Sequence, residues 1–231
     1  MAVLHFFSDY IFKPRQFWPY PRILMDAIVS GVSVTIALAV LLRAYGMDLP
    51  TFFVENGVHE NVQTAVLCTA SIIAILAAVR LRAAGRFVAI TTAFICLMFF
   101  VREIPSCHAN MTSGCLPRGM HKIVAIAGGI VLLQQAISMI RLSPLAFFRM
   151  IHPAFSWPLA LVATLLVMGE LFEKIDVLVL EETFELLAYM ILLFSSGWML
   201  KSGFHADDRS FSNKAVSGLM EKLRPSADHY S

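Results

Sequence analysis

The chain has 231 residues, of which 58% are hydrophobic and 15% charged, and its formal net charge is +2. Soluble domains carry about 25% charged residues, so this composition, with a mean hydropathy of +0.72, excludes an ordinary soluble domain. No basic cluster with interleaved aromatic residues is present, and the sequence therefore carries no nucleic-acid-binding signature.

Six apolar runs, each close to the length of a membrane-crossing helix, predict an all-α polytopic transmembrane bundle. Lipid offers the backbone no hydrogen-bond partners, so such runs must be helices rather than open strands. The predicted spans are residues 23–42, 61–80, 87–104, 121–140, 155–172 and 183–201. They form a transmembrane domain over 23–201. We expect an aromatic and basic interfacial leader (1–22) before this domain and a cytoplasmic tail (202–231) after it.

The distribution of charge along the chain predicts the orientation of the bundle. With a cytoplasmic N-terminus, 13 of the 18 Lys and Arg residues lie inside, against only 6 of the 16 Asp and Glu residues. Positively charged loops remain on the cytoplasmic side of a membrane. We therefore predict that both termini are cytoplasmic and that the acidic loops face the outer side.

The segment between the fifth and sixth predicted spans is unusually acidic. From Gly169 to Glu185 it holds six carboxylates and one cation, Lys174. A charge at mid-span costs roughly 2.5–3.5 kcal/mol and less near the end, so Glu185, one turn inside, should face the bundle or a water-filled pocket. The candidate catalytic residues on the outer side are Glu60, Arg102, Glu103, Glu170, Glu182 and Glu185.

Simpler roles are open for several of these residues. Glu60 can cap the start of the second span, and Glu182 can favour the start of the sixth. Arg102 can extend its side chain to the headgroups, or it can bind an outer carboxylate or an anionic lipid headgroup bidentately.

A metal site is the second chemical hypothesis for the outer side. Glu55 and His59 are four residues apart and would share a helix face, and His108 and His121 flank the next outer loop. Carboxylate and imidazole groups are common ligands of divalent metals. A divalent metal ion is the cofactor that these four residues would hold.

Cys107 and Cys115 lie eight positions apart in an outer loop. Cysteine pairs in an oxidising compartment form disulfides, and we predict a structural bridge here. A redox-active pair is the alternative, although catalytic pairs favour the tighter Cys-X-X-Cys spacing.

Three motifs carry a resemblance to a known group of proteins. They are Glu55-X-Gly57-X-X-Glu60 before one span, Arg102-Glu103 at the end of the next, and Glu181-Glu182-X-X-Glu185-Leu186 in the last. Together they resemble a broad group of uncharacterised bacterial multi-pass integral membrane proteins with acidic outer helix ends. The resemblance covers residues 20–200 and implies a bacterial inner membrane location with the acidic ends on the periplasmic side.

Three functions fit these patterns. The first is an outer-face, metal-assisted membrane enzyme that acts on a lipid or lipid-linked substrate. The second is a non-catalytic subunit that docks a partner membrane protein through its acidic face. The third is a small ion-coupled transporter, which needs polar residues in both halves of the membrane. Against it, the cytoplasmic halves of the predicted spans contain almost no ionisable group except Asp26.

Overall fold

The structure is a computed structural model that describes residues 22–46, 58–105, 107, 115–117, 119–142, 153–175 and 177–202. Every regular element in these ranges is an α-helix. The helices are α1 (Arg22–Ala44), α2 (Val58–Arg80), α3 (Ala83–Glu103), α4 (Met120–Leu142), α5 (Pro153–Glu173) and α6 (Leu178–Ser202). All six are long and apolar enough to cross a membrane, which confirms the predicted all-α, six-helix fold.

The helix bounds agree with the predicted spans to within a few residues. The largest difference is at α6, which begins at Leu178 rather than at 183, so Glu181 and Glu182 lie within the helix and not before it. The proposed leader and tail fall almost entirely on residues 1–21 and 203–231, which lie outside the described residues.

Helix α6 lies at the centre of the bundle. It packs against α1, α2 and α5 and makes a smaller contact with α3, and α2 and α3 pack closely on each other. The main core is built around apolar side chains of α6 such as Leu186, Ile191 and Leu192, together with Leu67 of α2 and Val162 of α5. Most of the α6 surface is therefore buried, as expected for a helix with apolar residues on several sides.

The outward surface of the bundle is apolar. Large exposed hydrophobic side chains occur along α1, α2 and α4, including Ile36, Ile75 and Ile130. Such a surface is unfavourable in water but matches the hydrocarbon of a bilayer. Helix α4 is the most exposed of the six and packs on α3, where Gly128 lies directly against the Phe94 ring.

The two ends of the bundle differ in charge. One end, which we call the basic end, joins the last turn of α2 to the first turns of α3, where Arg86 Nε donates to the carbonyls of Ala78 and Leu81, each at 3.2 Å. The other end, which we call the acidic end, gathers the starts of α2 and α6 and the last turns of α3 and α5. The acidic end carries the candidate site.

Candidate functional site

Polar side chains from four helices meet inside the acidic end. The set comprises His59, Gln63, Arg102, Glu103, Glu170, Glu182, Glu185 and Tyr189. We call these eight residues the acidic-end cluster. Two groups of contacts make up the cluster, one centred on a guanidinium and the other on an imidazole.

Arg102, in the last turn of α3, binds three carboxylates through three nitrogen atoms. Its Nη1 donates to Glu170 Oε1 at 3.1 Å, and its Nη2 donates to Glu185 Oε1. Its Nε lies 3.7 Å from Glu103 Oε1, within ion-pair distance. A guanidinium presents five N–H donors in one plane, so a single side chain joins carboxylates from α3, α5 and α6.

Tyr189 of α6 fixes the carboxylate of Glu103. The Tyr189 hydroxyl donates to Glu103 Oε1 at 2.8 Å, and the Tyr189 ring centroid lies 5.8 Å from that of Phe99. The Arg102 guanidinium carbon in turn lies 5.5 Å from the Phe99 centroid, a cation–π distance. Since Tyr189 is fully buried, its hydroxyl needs an acceptor, and the carboxylate of Glu103 provides it.

His59 and Gln63 of α2 both contact Glu182 of α6. His59 Nδ1 lies 2.9 Å from Glu182 Oε2, and Gln63 Nε2 donates to the same oxygen at 2.9 Å. All three side chains are buried. Two donors on one oxygen stabilise a buried carboxylate and hold the start of α6 against α2.

Gly169 lies where α5 approaches α6 beside this cluster. A Cβ atom at Gly169 would lie 3.4 Å from Glu185 Cγ and 3.6 Å from the Glu181 carbonyl oxygen. Both are ordinary van der Waals distances, so alanine would fit at this position. The close contact of α5 with α6 places Glu170 beside Arg102.

The structure brings five of the six candidate catalytic residues directly into the cluster. These are Arg102, Glu103, Glu170, Glu182 and Glu185. The sixth, Glu60, lies beside His59 in the first turn of α2, and its charge acts on Glu103. Proximity does not assign a role, and the catalytic roles remain predictions.

The four candidate metal ligands are not brought together in the described residues. Glu55 and His108 lie outside those residues, while His59 contacts Glu182 and His121 is exposed in the first turn of α4. Within the described ranges, no three His, Cys, Asp or Glu side chains form a group that could hold a metal ion. The carboxylates face Arg102, Tyr189 and Gln63 instead, and the metal site stays a prediction.

The predicted disulfide between Cys107 and Cys115 is present. Backbone hydrogen bonds lie beside it, from Cys107 N to Leu116 O at 2.8 Å and from Leu116 N to Pro105 O at 2.9 Å. The disulfide and these hydrogen bonds join Pro105 and Cys107 to Cys115 and Leu116, shortly after α3 ends at Glu103.

Gln63 and Tyr189 are the cluster residues that the sequence analysis missed. Each lies four positions after a candidate, Gln63 after His59 and Tyr189 after Glu185. Residues four apart share a helix face, so helical spacing from the acidic residues was a signal that could have identified both.

The cluster contains more acidic than basic groups. The side chains of Glu103, Glu182 and Glu185 are at most 10% exposed, whereas those of Arg102 and Glu170 are 42% and 52% exposed. The exposed pair forms an open edge, and the buried carboxylates lie behind it. Such an arrangement can take up and release protons, or can orient an imidazole as a general base.

Comparisons of the chain with protein-family models, with curated proteins and with solved structures found no significant match.

Proposed function

We propose that this chain is an integral membrane protein that transports protons, with the acidic-end cluster as its proton-binding centre on the outer side. One observation supports this most directly. Among the described residues, one guanidinium contacts three carboxylates and one imidazole contacts a fourth, and three of the four carboxylates are buried.

The charges within the cluster explain why protons would bind there. If Glu103, Glu170, Glu182 and Glu185 are all ionised, Arg102 neutralises only one of their four charges, and a protonated His59 neutralises one more. An excess of negative charge at a buried site is unfavourable, and protonation reduces that excess. Glu60 adds a further negative charge near Glu103.

A buried acceptor atom lies at the same place. Gln63 is fully buried, and its Oε1 makes no hydrogen bond to the described residues, while its Nε2 donates to Glu182. A ligand that completes this site must donate a hydrogen bond. A water molecule or hydronium ion next to a carboxylate meets that requirement.

The test is proton flux in proteoliposomes that contain the purified protein and a pH-sensitive dye. A potassium gradient with valinomycin supplies the driving force. We expect Glu185→Gln to lower the flux at least about tenfold, because the amide binds no proton, while Glu173→Gln, an exposed site outside the cluster, has no effect. Flux at the level of empty liposomes for the unmodified protein would overturn the proposal.

Proton binding is measured separately by infrared difference spectroscopy during a pH step. A protonated carboxyl group has its own C=O band, which we expect to be lost in Glu185→Gln and retained in Glu173→Gln. If the band is present but flux is absent, the cluster binds protons without transporting them, and the transport function is wrong.

An outer-face enzyme acting on a lipid or lipid-linked substrate is the second candidate. An apolar groove of about 160 Å³ lies between α1 and α6, and its lining includes Gly31, Thr183 and Leu187. Thr183 follows Glu182 on α6, so one end of the groove lies at the same depth along the helix as the cluster. The Glu182-bound imidazole would serve as general base.

The enzyme is distinguished from the transporter by metal content and by lipid turnover. A metal-assisted enzyme predicts a stoichiometric divalent ion in the purified protein and a changed lipid product by mass spectrometry. Neither is expected from a proton transporter. Loss of lipid turnover in Glu182→Gln with proton flux at background would favour the enzyme.

A further inference from the structure

Two buried serine side chains in the middle of the bundle lack the hydrogen bonds that such groups require. Ser71 of α2 is 3% exposed and Ser195 of α6 is 2% exposed. Neither Oγ atom has a hydrogen-bond partner among the described residues. A buried hydroxyl without a hydrogen-bond partner destabilises the fold by about 1–3 kcal/mol, so a polar ligand at either atom would be stabilising.

The usual local solution for a helical hydroxyl is not used at these two positions. Thr92 Oγ1 donates to the Val88 carbonyl at 2.9 Å, and Ser196 Oγ donates to the Leu192 carbonyl at 2.8 Å. Both follow the i to i−4 pattern that satisfies serine and threonine within helices. Ser71 and Ser195 make no such bond, and their hydroxyls are available to another group.

The register of α2 and α6 places Ser71 and Ser195 at one depth. The two helices run parallel, since His59 meets Glu182 at one end and Ala77 packs in one cluster with Met199 at the other. Ser71 follows His59 by 12 positions and Ser195 follows Glu182 by 13. At 1.5 Å per residue both lie about 18–20 Å along the helices from the contact between His59 and Glu182.

This depth lies well inside the hydrocarbon, which is about 30 Å thick. The serines are thus the next buried polar atoms without a partner below the cluster on α2 and α6. Tyr189, the cluster residue furthest along α6, lies seven positions after Glu182 and six before Ser195, which leaves about 9 Å along the helix. A chain of about three water molecules, spaced by about 2.8 Å, would cover the remainder.

We propose that Ser71 and Ser195 bind water in the bundle core and form a proton-transfer station between the acidic-end cluster and the basic end. We call the two residues the serine station. Protons move by exchange along hydrogen bonds, so each hydroxyl accepts one proton as it releases another and no net bond is made or broken. The station depends on the proposed proton transport, and it supplies the polar group that a transport pathway needs below the cluster.

The first experiment compares Ser71→Ala/Ser195→Ala with Ser196→Ala in the proteoliposome assay. Ser196 is a matched control, since it is equally buried and its hydroxyl is already satisfied within α6. We expect the double variant to lower proton flux at least about tenfold and the control to leave flux unchanged. The Glu185 carboxyl band should persist in both variants, because the cluster is intact.

The outcomes separate the station from the proposed function. Normal flux in the double variant, with flux lost in Glu185→Gln, would overturn the station and leave the transport function standing. Background flux in the unmodified protein overturns the transport function, and the station as a transfer site with it.

A second experiment measures hydration of the station without any transport. Ser71→Cys and Ser195→Cys are introduced singly into protein in which Cys68 and Cys96 are replaced by alanine, and each is treated with a small water-soluble methanethiosulfonate. We expect both thiols to react, and Val162→Cys, in the apolar core, to stay unmodified. Equal protection of all three thiols would contradict a hydrated station.

Discussion

Arg102 is the residue on which the acidic-end cluster depends most. It is the common partner of Glu103, Glu170 and Glu185, which belong to three helices. Removing one partner of a buried ion pair leaves an uncompensated charge, whereas removing both partners can be nearly neutral. The contribution of Arg102 is therefore visible only when single and double variants are compared.

We expect Arg102→Gln to lower the free energy of unfolding by about 2–3 kcal/mol, less than for a fully buried pair because Arg102 is half-exposed. The double variant Arg102→Gln/Glu185→Gln should recover most of the loss. Arg102→Lys should lower the free energy of unfolding by less than Arg102→Gln does. Lysine keeps the positive charge, but its ammonium group lacks the planar donors that reach several carboxylates. Thermal unfolding in detergent micelles measures all three, and a double variant no more stable than the single one would contradict the pairing.

Residue types and loop positions in the sequence indicated the outer polar residues, but not how they pair. Arg102 was expected to meet either an outer carboxylate or a headgroup, and the structure shows the carboxylates. His59 was expected as a metal ligand and Glu182 as a catalytic candidate or, more simply, as a helix-start residue. The structure shows that the two contact each other across 123 positions of the chain. Such pairings depend on which helices are neighbours, and composition and periodicity do not contain that information.

At the scale of elements, the apolar runs predicted the helices because in lipid every backbone group must be bonded within its own segment. The packing order was not predictable in the same way. Helix α6 is apolar on nearly every side and lies at the centre, whereas α4 is as apolar but remains at the edge. In a membrane, lipid and protein neighbours are equally apolar, so hydropathy does not distinguish a central helix from an outer one.

The contact between α3 and α4 depends on a single small residue. A Cβ atom at Gly128 would overlap the Phe94 ring, whereas at Gly129 nothing lies within 4 Å of the added atom. We expect Gly128→Leu to separate α4 from α3 and to lower the unfolding temperature, and Gly129→Leu to have little effect. Thermal unfolding and limited proteolysis measure both variants. Equal stability of Gly128→Leu and Gly129→Leu would contradict the prediction and show that α3 and α4 tolerate a wider spacing.

For the whole molecule, function depends on which end of the bundle faces outward. The helices fix which groups share an end, and His59, Arg102 and Glu170 are at the same end as the Cys107–Cys115 disulfide that follows α3. The positive-inside distribution predicts that this acidic end faces the oxidising side. A disulfide at that end agrees with such an orientation, because thiols on the cytoplasmic side are kept reduced.

Thiol labelling in intact cells tests this orientation. After treatment with a membrane-impermeant reductant, an impermeant maleimide should label Cys107 and Cys115, and the label should disappear in Cys107→Ser/Cys115→Ser. Cys96, buried in the bundle, should remain unlabelled in both proteins.

A reporter that is active only in the cytoplasm, fused at the C-terminus, should be active. Labelling only after the cells are permeabilised, together with an inactive reporter, would show that the bundle has the opposite orientation. The acidic-end cluster would then exchange protons with the cytoplasm, and the direction of the proposed proton pathway would reverse.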